Sequence, residues 1–335
     1  MPADRPPLQL PVFEARLLTV VEGANLGDPL GFADELVPDD VYELAGDAQP
    51  GRLAAETTEG TTFAVAHGSG LGRPGAPLHL DSCLTLMGAD GLPAEALVLV
   101  ELDTEGCVAE VYLHPMARLL PRVPYRLVGI DRASARRRFA ELGCVSFSRG
   151  TRITLASGAQ VPIDALREGD RVLTRDDGAQ PVRWIGQSTL RATGAFAPIV
   201  ITAGALHNTG DLVVSPDHRL FVWQREDALG AGRAEVLVRA RHLVNGTTVV
   251  VREGGFVDYF QLLFDRHQII YAEGIAAESL LIDSRTRPVL PAALDRALAN
   301  RLPAHGDAAH LDFEVQEGLL RRPDTVELLR RASTR

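Results

Sequence analysis

The stretch SFSRGTRITLASGAQVPIDALREGDRVLT, from Ser146 to Thr174, decides the fold of the larger part of this chain. Its apolar residues come in short runs, and residues typical of turns separate these runs. Nearly every run contains Val, Ile, Leu or Thr. This pattern indicates short β-strands joined by tight turns. Because the same pattern continues to about Ile282, we predict an all-β module over this part of the chain.

An internal repeat lies within the predicted module. The segment from Val161 to Val172 is echoed by the segment from Val238 to Val249, with apolar residues and the turn glycines Gly169 and Gly246 in the same register. Two related β units would produce such an echo, and so would chance similarity between two strand–turn–strand segments.

The sequence on either side of the module has a different character. Residues 1–135 are rich in Pro and Gly and carry short apolar runs, which predicts a small β-rich N-terminal domain. A short helical pattern ends near Gly143, and the module is assigned to residues 144–287. Residues 288–335 predict a helical tail, with helical patterns over Ala292–Leu302 and Thr325–Arg331.

Composition excludes several classes of function. The chain has 335 residues, 46% of them hydrophobic, which suffices for more than one core. Its 44 acidic residues outnumber 34 basic ones, which argues against nucleic acid as the main partner. No apolar stretch approaches the roughly 18 residues of a membrane span, and the N-terminus lacks the pattern of a signal peptide. The location therefore stays open between the cytoplasm and export without an N-terminal signal.

The cysteines and histidines do not predict a bound group. Three cysteines are too few and too scattered for a disulfide framework. The nine histidines and three cysteines form no pair at metal-ligand spacing with acidic partners. We therefore expect neither a metal site nor a cofactor.

Three motifs within the predicted module resemble those of the Hint domain family, which Hedgehog proteins and inteins share. The first is the run from Ser146 to Thr174, which resembles the family's opening block. The second is Ser215-Pro216-Asp217-His218, which resembles the Thr-x-x-His motif of the family. The third runs from Tyr259 through His267 to Gly274. The phrases Leu263–His267 and Ala272–Gly274, with the later Glu278-Ser279, are most similar to bacterial Hint proteins.

The resemblance implies a fold and a chemistry. It implies a mainly β, pseudo-symmetric Hint-like fold, whose first residue attacks the carbonyl before it and converts a peptide bond into an ester or thioester. Ser146 stands at the attacking position, and Cys144, two residues earlier, is the second candidate. His218 would protonate the departing nitrogen, Ser215 would hold the scissile segment, and His267 either assists or is structural.

The residues at the end of the module bear on the outcome of the reaction. Splicing inteins end in His-Asn, and the Asn cyclises to release the domain, whereas Glu278-Ser279 occupy those positions here. The resemblance therefore implies self-cleavage without splicing. The substrate would be the chain's own N-terminal segment, and water or a small nucleophile would open the intermediate.

Two other functions remain open at this point. The module can be a catalytically inactive Hint fold that serves assembly, secretion or partner binding. It can also be a hydrolase that acts in trans through Ser146 and His218, although no Gly-x-Ser-x-Gly motif accompanies these residues.

Overall fold

The chain is described by a computed structural model that covers residues 7–57, 63–225, 227, 229–282, 286, 289–290, 313–315, 317–320 and 324–332. The chain divides into two compact units, Met1–Glu141 and Leu142–Arg335. Both units are built mainly from β-strands, which confirms the mainly β fold class that the sequence predicts.

The first unit has nine strands within its described residues, all in one antiparallel sheet. The sheet order is β2-β3-β9-β6-β5-β4-β1-β8-β7, and β6 also pairs with β7, so six of the strands form a closed ring. The predicted apolar runs Ala96–Leu102 and Val108–Leu113 lie in β7 and β8. The strands are β1 (Leu8–Glu14), β2 (Leu18–Glu22), β3 (Val41–Leu44), β4 (Gly51–Thr57), β5 (Phe63–Val65), β6 (Pro77–Gly88), β7 (Pro93–Leu102), β8 (Val108–Pro115) and β9 (Pro124–Asp131). Helix α1 (Ala135–Gly143) follows β9.

The second unit has fourteen strands within its described residues, and most are only three to five residues long. Short β-branched runs such as Val249–Val251 form these strands, and glycine-containing turns end them. The strands are β10 (Phe147–Ser148), β11 (Arg152–Thr154), β12 (Gln160–Pro162), β13 (Arg171–Leu173), β14 (Ala179–Pro181), β15 (Trp184–Arg191), β16 (Ile199–Ile201), β17 (Leu212–Val214), β18 (Arg219–Trp223), β19 (Glu235–Arg239), β20 (Val249–Val251), β21 (Phe256–Leu263), β22 (Ile269–Ala272) and β23 (Ile275–Glu278).

Two six-stranded antiparallel sheets enclose the core of this unit. The first has the order β15-β21-β10-β17-β16-β20, and the second has the order β12-β11-β22-β23-β18-β19. Their apolar side chains form one large buried cluster that includes Phe147, Val214, Leu220 and Phe260. Burial of apolar side chains from both sheets is the main stabilising contribution to this unit.

The two repeated segments have the same local structure. In the first copy β12 leads through a 3₁₀ turn, Ile163–Ala165, to β13, and in the second β19 leads through the 3₁₀ turn Ala240–Leu243 to β20. The turn glycines Gly169 and Gly246 both have positive φ, 93° and 74°. This agreement supports two related β units over chance similarity.

The described part of the C-terminal segment packs on the second unit. Helix α2 spans Glu317–Leu320, and helix α3 spans Thr325–Ala332, where the sequence predicts a helix over Thr325–Arg331. Leu320 and Leu329 are buried in the core cluster of the unit. The helix predicted over Ala292–Leu302 lies outside the described residues. None of the described helices is long and apolar enough to cross a membrane.

Candidate functional site

Strand register brings Ser146 and Ser215 together. Strand β10 begins one residue after Ser146, and β17 ends one residue before Ser215. Because β10 and β17 are antiparallel and Phe147 is paired with Val214, the start of one strand lies beside the end of the other. The two serines, 69 residues apart in the sequence, are therefore in hydrogen-bonding contact.

The hydroxyl of Ser215 brackets the Val145–Ser146 peptide bond. The backbone N–H of Ser146 donates to Ser215 Oγ over 3.0 Å, and Ser215 Oγ donates to the carbonyl oxygen of Cys144 over 3.3 Å. The backbone N–H of Ser215 donates to the carbonyl oxygen of Ser146 at 2.9 Å. One buried residue thus holds the backbone on both sides of Val145.

The imidazole of His218 contacts the backbone of Ser146. Its Nδ1 donates to the Ser146 carbonyl oxygen over 3.0 Å, and its ring packs against the ring of Phe147 with centroids 4.3 Å apart. The His218 side chain is fully buried, and this burial lowers the pKa of His218 to about 4, while Glu278 opposes the shift. At neutral pH this imidazole is therefore uncharged.

The amide of Gln261 contacts the Ser146 hydroxyl, and sequence analysis missed this residue. Gln261 Nε2 donates a hydrogen bond to Ser146 Oγ over 2.8 Å. Gly186 on the neighbouring strand leaves room for this side chain, because a Cβ there would lie 2.4 Å from Gln261 Oε1. The available signal was one polar residue within the apolar run Tyr259–Leu263.

Cys144, the second predicted nucleophile, is buried in apolar surroundings. Its side chain belongs to a cluster with Leu263, Leu280 and Ile282, and it is in no disulfide. Packing against such apolar side chains is typical of a structural cysteine. The structure thus brings the Cys144 carbonyl oxygen, through Ser215, into the group of contacts around Ser146.

His267 is in contact with Glu278. Because β22 and β23 are paired with Ile269 opposite Glu278, the residue two positions before Ile269 lies close to that glutamate. His267 Nε2 is 3.5 Å from Glu278 Oε1, and both side chains are almost fully buried. The backbone N–H of Gln268 donates to the buried hydroxyl of Ser279 over 2.9 Å.

The site therefore consists of an inner and an outer group. The inner group is Ser146 with the three residues that contact it, Ser215, His218 and Gln261. The outer group is Glu278 and His267. In the described residues, no three or more His, Cys, Asp or Glu side chains are arranged to hold a metal ion.

A family model and several solved structures are similar to the second unit of this chain. Residues 145–284 match a family model described as "Hint domain". No match was found among curated proteins. Among solved structures, the chain is similar to the gp41-1 intein (12% identity, TM-score 0.25, 40% of this chain and 97% of that chain covered). It is also similar to the Ssp DnaB mini-intein variant M86 (14% identity, TM-score 0.28, 42% of this chain and 97% of that chain covered). A bacterial intein-like domain from Clostridium thermocellum matches at 17% identity and a TM-score of 0.27, with 40% and 97% covered.

Proposed function

Since residues 145–284 belong to the Hint domain family, we propose that this domain cleaves its own chain between Val145 and Ser146 without splicing. The observation that carries the proposal is the Ser215 hydroxyl, which contacts Cys144 O at 3.3 Å and Ser146 N at 3.0 Å and so brackets one peptide bond. The released product is residues 1–145, and the domain keeps Ser146 as its new N-terminus.

The first step exchanges an amide for an ester. Ser146 Oγ attacks the carbonyl carbon of Val145, the bond from that carbon to the Ser146 nitrogen breaks, and an ester forms between Val145 and Oγ. The hydroxyl loses one proton and the nitrogen gains one to leave as a neutral amine, so the step consumes no reactant other than the chain itself. Gln261 supports the attack, because a donor to Oγ favours the deprotonated form of the hydroxyl, which is the stronger nucleophile.

The second step releases the N-terminal product. Water adds to the ester carbonyl, the bond to Ser146 Oγ breaks, and Val145 becomes a carboxylate. One proton of the water returns to the Ser146 hydroxyl, and the other passes to the free amine of Ser146. A small nucleophile can replace water in this step. Glu278-Ser279 stand where a splicing domain has a cyclising Asn, so this chain has no group there that would cyclise and release the domain at its C-terminal end.

His218 acts as the acid in the first step. Its Nδ1 is hydrogen-bonded to the carbonyl oxygen of Ser146, the residue whose nitrogen departs. Because burial lowers the pKa of His218 to about 4, the protonated fraction rises as the pH falls. The neutral imidazole also stabilises the fold above its unfolded pKa of about 6.5, and this contribution is lost as the pH falls toward about 4.

We expect cleavage of the purified chain to accelerate between pH 8 and about pH 5, in step with protonation of His218. His218→Ala removes both the acid and its pH dependence, and His79→Ala, at an exposed histidine of β6, is the matched control. Intact mass spectrometry over time measures the rate of appearance of residues 1–145. A His218→Ala chain that cleaves at the original rate with the original pH profile contradicts the assignment.

We expect Gln261→Leu to slow cleavage by about 10- to 100-fold, because a hydrogen bond to a developing charge contributes about 1.5–3 kcal/mol. Leucine keeps most of the volume of the buried side chain and removes the donor to Ser146 Oγ. Gln187→Leu, at an exposed position on the paired strand β15, is the control and keeps the original rate. Equal rates for the two variants would exclude a role for Gln261.

One observation favours the alternative of an inactive fold that serves assembly, secretion or partner binding. His218 contacts the carbonyl oxygen of Ser146 and Gln261 contacts its hydroxyl, so no base is in direct contact with that hydroxyl among the described side chains. In that case neither the His218→Ala nor the Gln261→Leu variant changes the integrity of the chain, which separates the two functions.

A further inference from the structure

A network of six charged side chains, most of them largely buried, includes Arg219 and Glu278. Three arginines and three carboxylates alternate in it, and each adjoining pair is in salt-bridge contact. The pairs are Glu278–Arg219 (2.9 Å), Arg219–Glu314 (3.1 Å), Glu314–Arg239 (2.6 Å), Arg239–Asp217 (2.9 Å) and Asp217–Arg241 (3.0 Å). Desolvated charges of this kind interact far more strongly than exposed pairs.

Glu314 is the member of the network that comes from outside the Hint domain. It lies 30 residues beyond the last residue of the family match, 284. It is part of the short segment Phe313–Val315, which forms a parallel bridge with β19 at Leu237, and the Val315 N–H donates to the Leu237 carbonyl at 3.0 Å. This backbone contact fixes Glu314 beside the arginines of β18 and β19.

Glu314 divides its carboxylate between two arginines. Oε1 contacts Arg239 Nε, and Oε2 contacts Arg219 Nε. Burial raises the pKa of Glu314, but the two guanidinium groups outweigh this and hold the pKa below its ordinary value. Burial also opposes the charge on Arg219, yet the carboxylates of Glu278 and Glu314 hold the pKa of Arg219 above its ordinary value. Glu314 and Arg219 are thus both charged at neutral pH.

The network contacts the site through Arg219. This residue follows His218 directly in the chain, and its NH1 contacts Glu278 Oε2. The charged groups that act on His218 are Glu278 from β23, which favours the protonated imidazole, and Arg219 from β18, which disfavours it. His267 Nε2 contacts the second oxygen of Glu278. The charge that neutralises Arg219 therefore influences the protonation of His218.

We propose that Glu314 is a positioning residue for self-cleavage: it neutralises Arg219 and Arg239, so that Glu278 is available to the imidazole of His218. The effect of Glu314 on the cleavage rate rests on the proposed function, whereas its effect on His218 does not. The C-terminal segment thus contributes a residue that influences cleavage, although the family match ends before this segment.

The net charge of the network determines whether each variant raises or lowers the protonation of His218. A purely structural role of Glu314 would not produce opposite effects. Glu314→Gln leaves three arginines against two carboxylates, and this excess positive charge disfavours protonated His218. Arg239→Gln leaves two arginines against three carboxylates and has the opposite effect. The double variant, with two against two, restores the balance although it contains two buried substitutions.

The test compares cleavage rates of the full-length chain and these three variants between pH 5 and 8. We expect Glu314→Gln to slow cleavage about tenfold, which corresponds to about one pKa unit at His218, and to move the pH profile to lower pH. Arg239→Gln should be no slower than the original chain, and the double variant should return to within about threefold of it. Glu327→Gln, an exposed glutamate of α3, is the matched control without effect.

A double variant as slow as Glu314→Gln, or an unchanged Glu314→Gln rate, would overturn the proposal. A second measurement works without any cleavage: histidine-selective NMR of the chain carrying Ser146→Ala. There the His218 resonance should titrate at lower pH with Glu314→Gln and return with the double variant; no movement also overturns the proposal. If the resonance moves as expected but the original chain never cleaves, self-cleavage fails while the influence of Glu314 on His218 stands.

Discussion

The chain carrying Ser146→Ala is expected to remain at its full length of 335 residues under every condition in which the original chain separates into two fragments. Alanine removes the attacking oxygen and the acceptor of the Gln261 hydrogen bond, and leaves the backbone contacts to Ser215 in place. Loss of a covalent nucleophile reduces rates by at least about 1,000-fold. Gel electrophoresis and intact mass after prolonged incubation measure the effect.

Two companion variants identify the nucleophile. Ser146→Cys is expected to cleave faster than the original chain, because a thiol near neutral pH is intrinsically more nucleophilic than a hydroxyl. Cys144→Ala is expected to cleave at the original rate, since the Cys144 side chain is buried beside Leu263, Leu280 and Ile282 and Ser146 is the proposed nucleophile. A Cys144→Ala chain that stays intact, together with a Ser146→Ala chain that cleaves, would assign the reaction to the cysteine.

The second large effect concerns stability. Arg219→Met is expected to destabilise the second unit by about 3–5 kcal/mol, because it leaves the carboxylates of Glu278 and Glu314 buried beside each other without their shared partner. The Glu278 side chain is 0% exposed and that of Arg219 is 12% exposed, so solvent cannot replace the lost contacts. The free energy of unfolding, from urea titration of the chain carrying Ser146→Ala, gives the measurement.

Arg183→Met provides the comparison for this stability effect. It removes the exposed pair between Arg183 and Asp265, whose side chains are 42% and 37% exposed. Exposed pairs contribute about 1 kcal/mol or less, so this variant should unfold close to the original chain. Equal unfolding free energies for Arg183→Met and Arg219→Met would mean that the buried network does not stabilise the unit.

The sequence predicted the fold because its signals are local. Short β-branched runs between glycines set the strands of the second unit, and the repeat around Gly169 and Gly246 indicated its pseudo-symmetry. The motif that contains Ser215 and His218 also predicted their place near Ser146, because a residue at a strand end is positioned by strand pairing. The assignment of their chemical roles remains a proposal.

Other features of the site depend on register and on distant segments, which one sequence does not specify. Gln261 contacts Ser146 only because β21 pairs with β10 with Phe260 opposite Phe147, and a shift by one residue would turn it to the other face. Glu314 falls in the region predicted as a helical tail, where nothing in its neighbours indicated a partner in β18. The motif also did not predict which atom of Ser146 His218 contacts, which is the carbonyl oxygen and not the hydroxyl.

The most direct measurement of self-cleavage is trapping of the ester with hydroxylamine. Hydroxylamine attacks the ester carbonyl of Val145, forms a hydroxamic acid there and releases Ser146 with a free hydroxyl and amine. We expect mass spectrometry of the purified chain to show residues 1–145 ending in a hydroxamate and a second fragment whose first residue is Ser146. Full-length mass alone, with and without hydroxylamine from pH 5 to 8, would contradict self-cleavage at this bond.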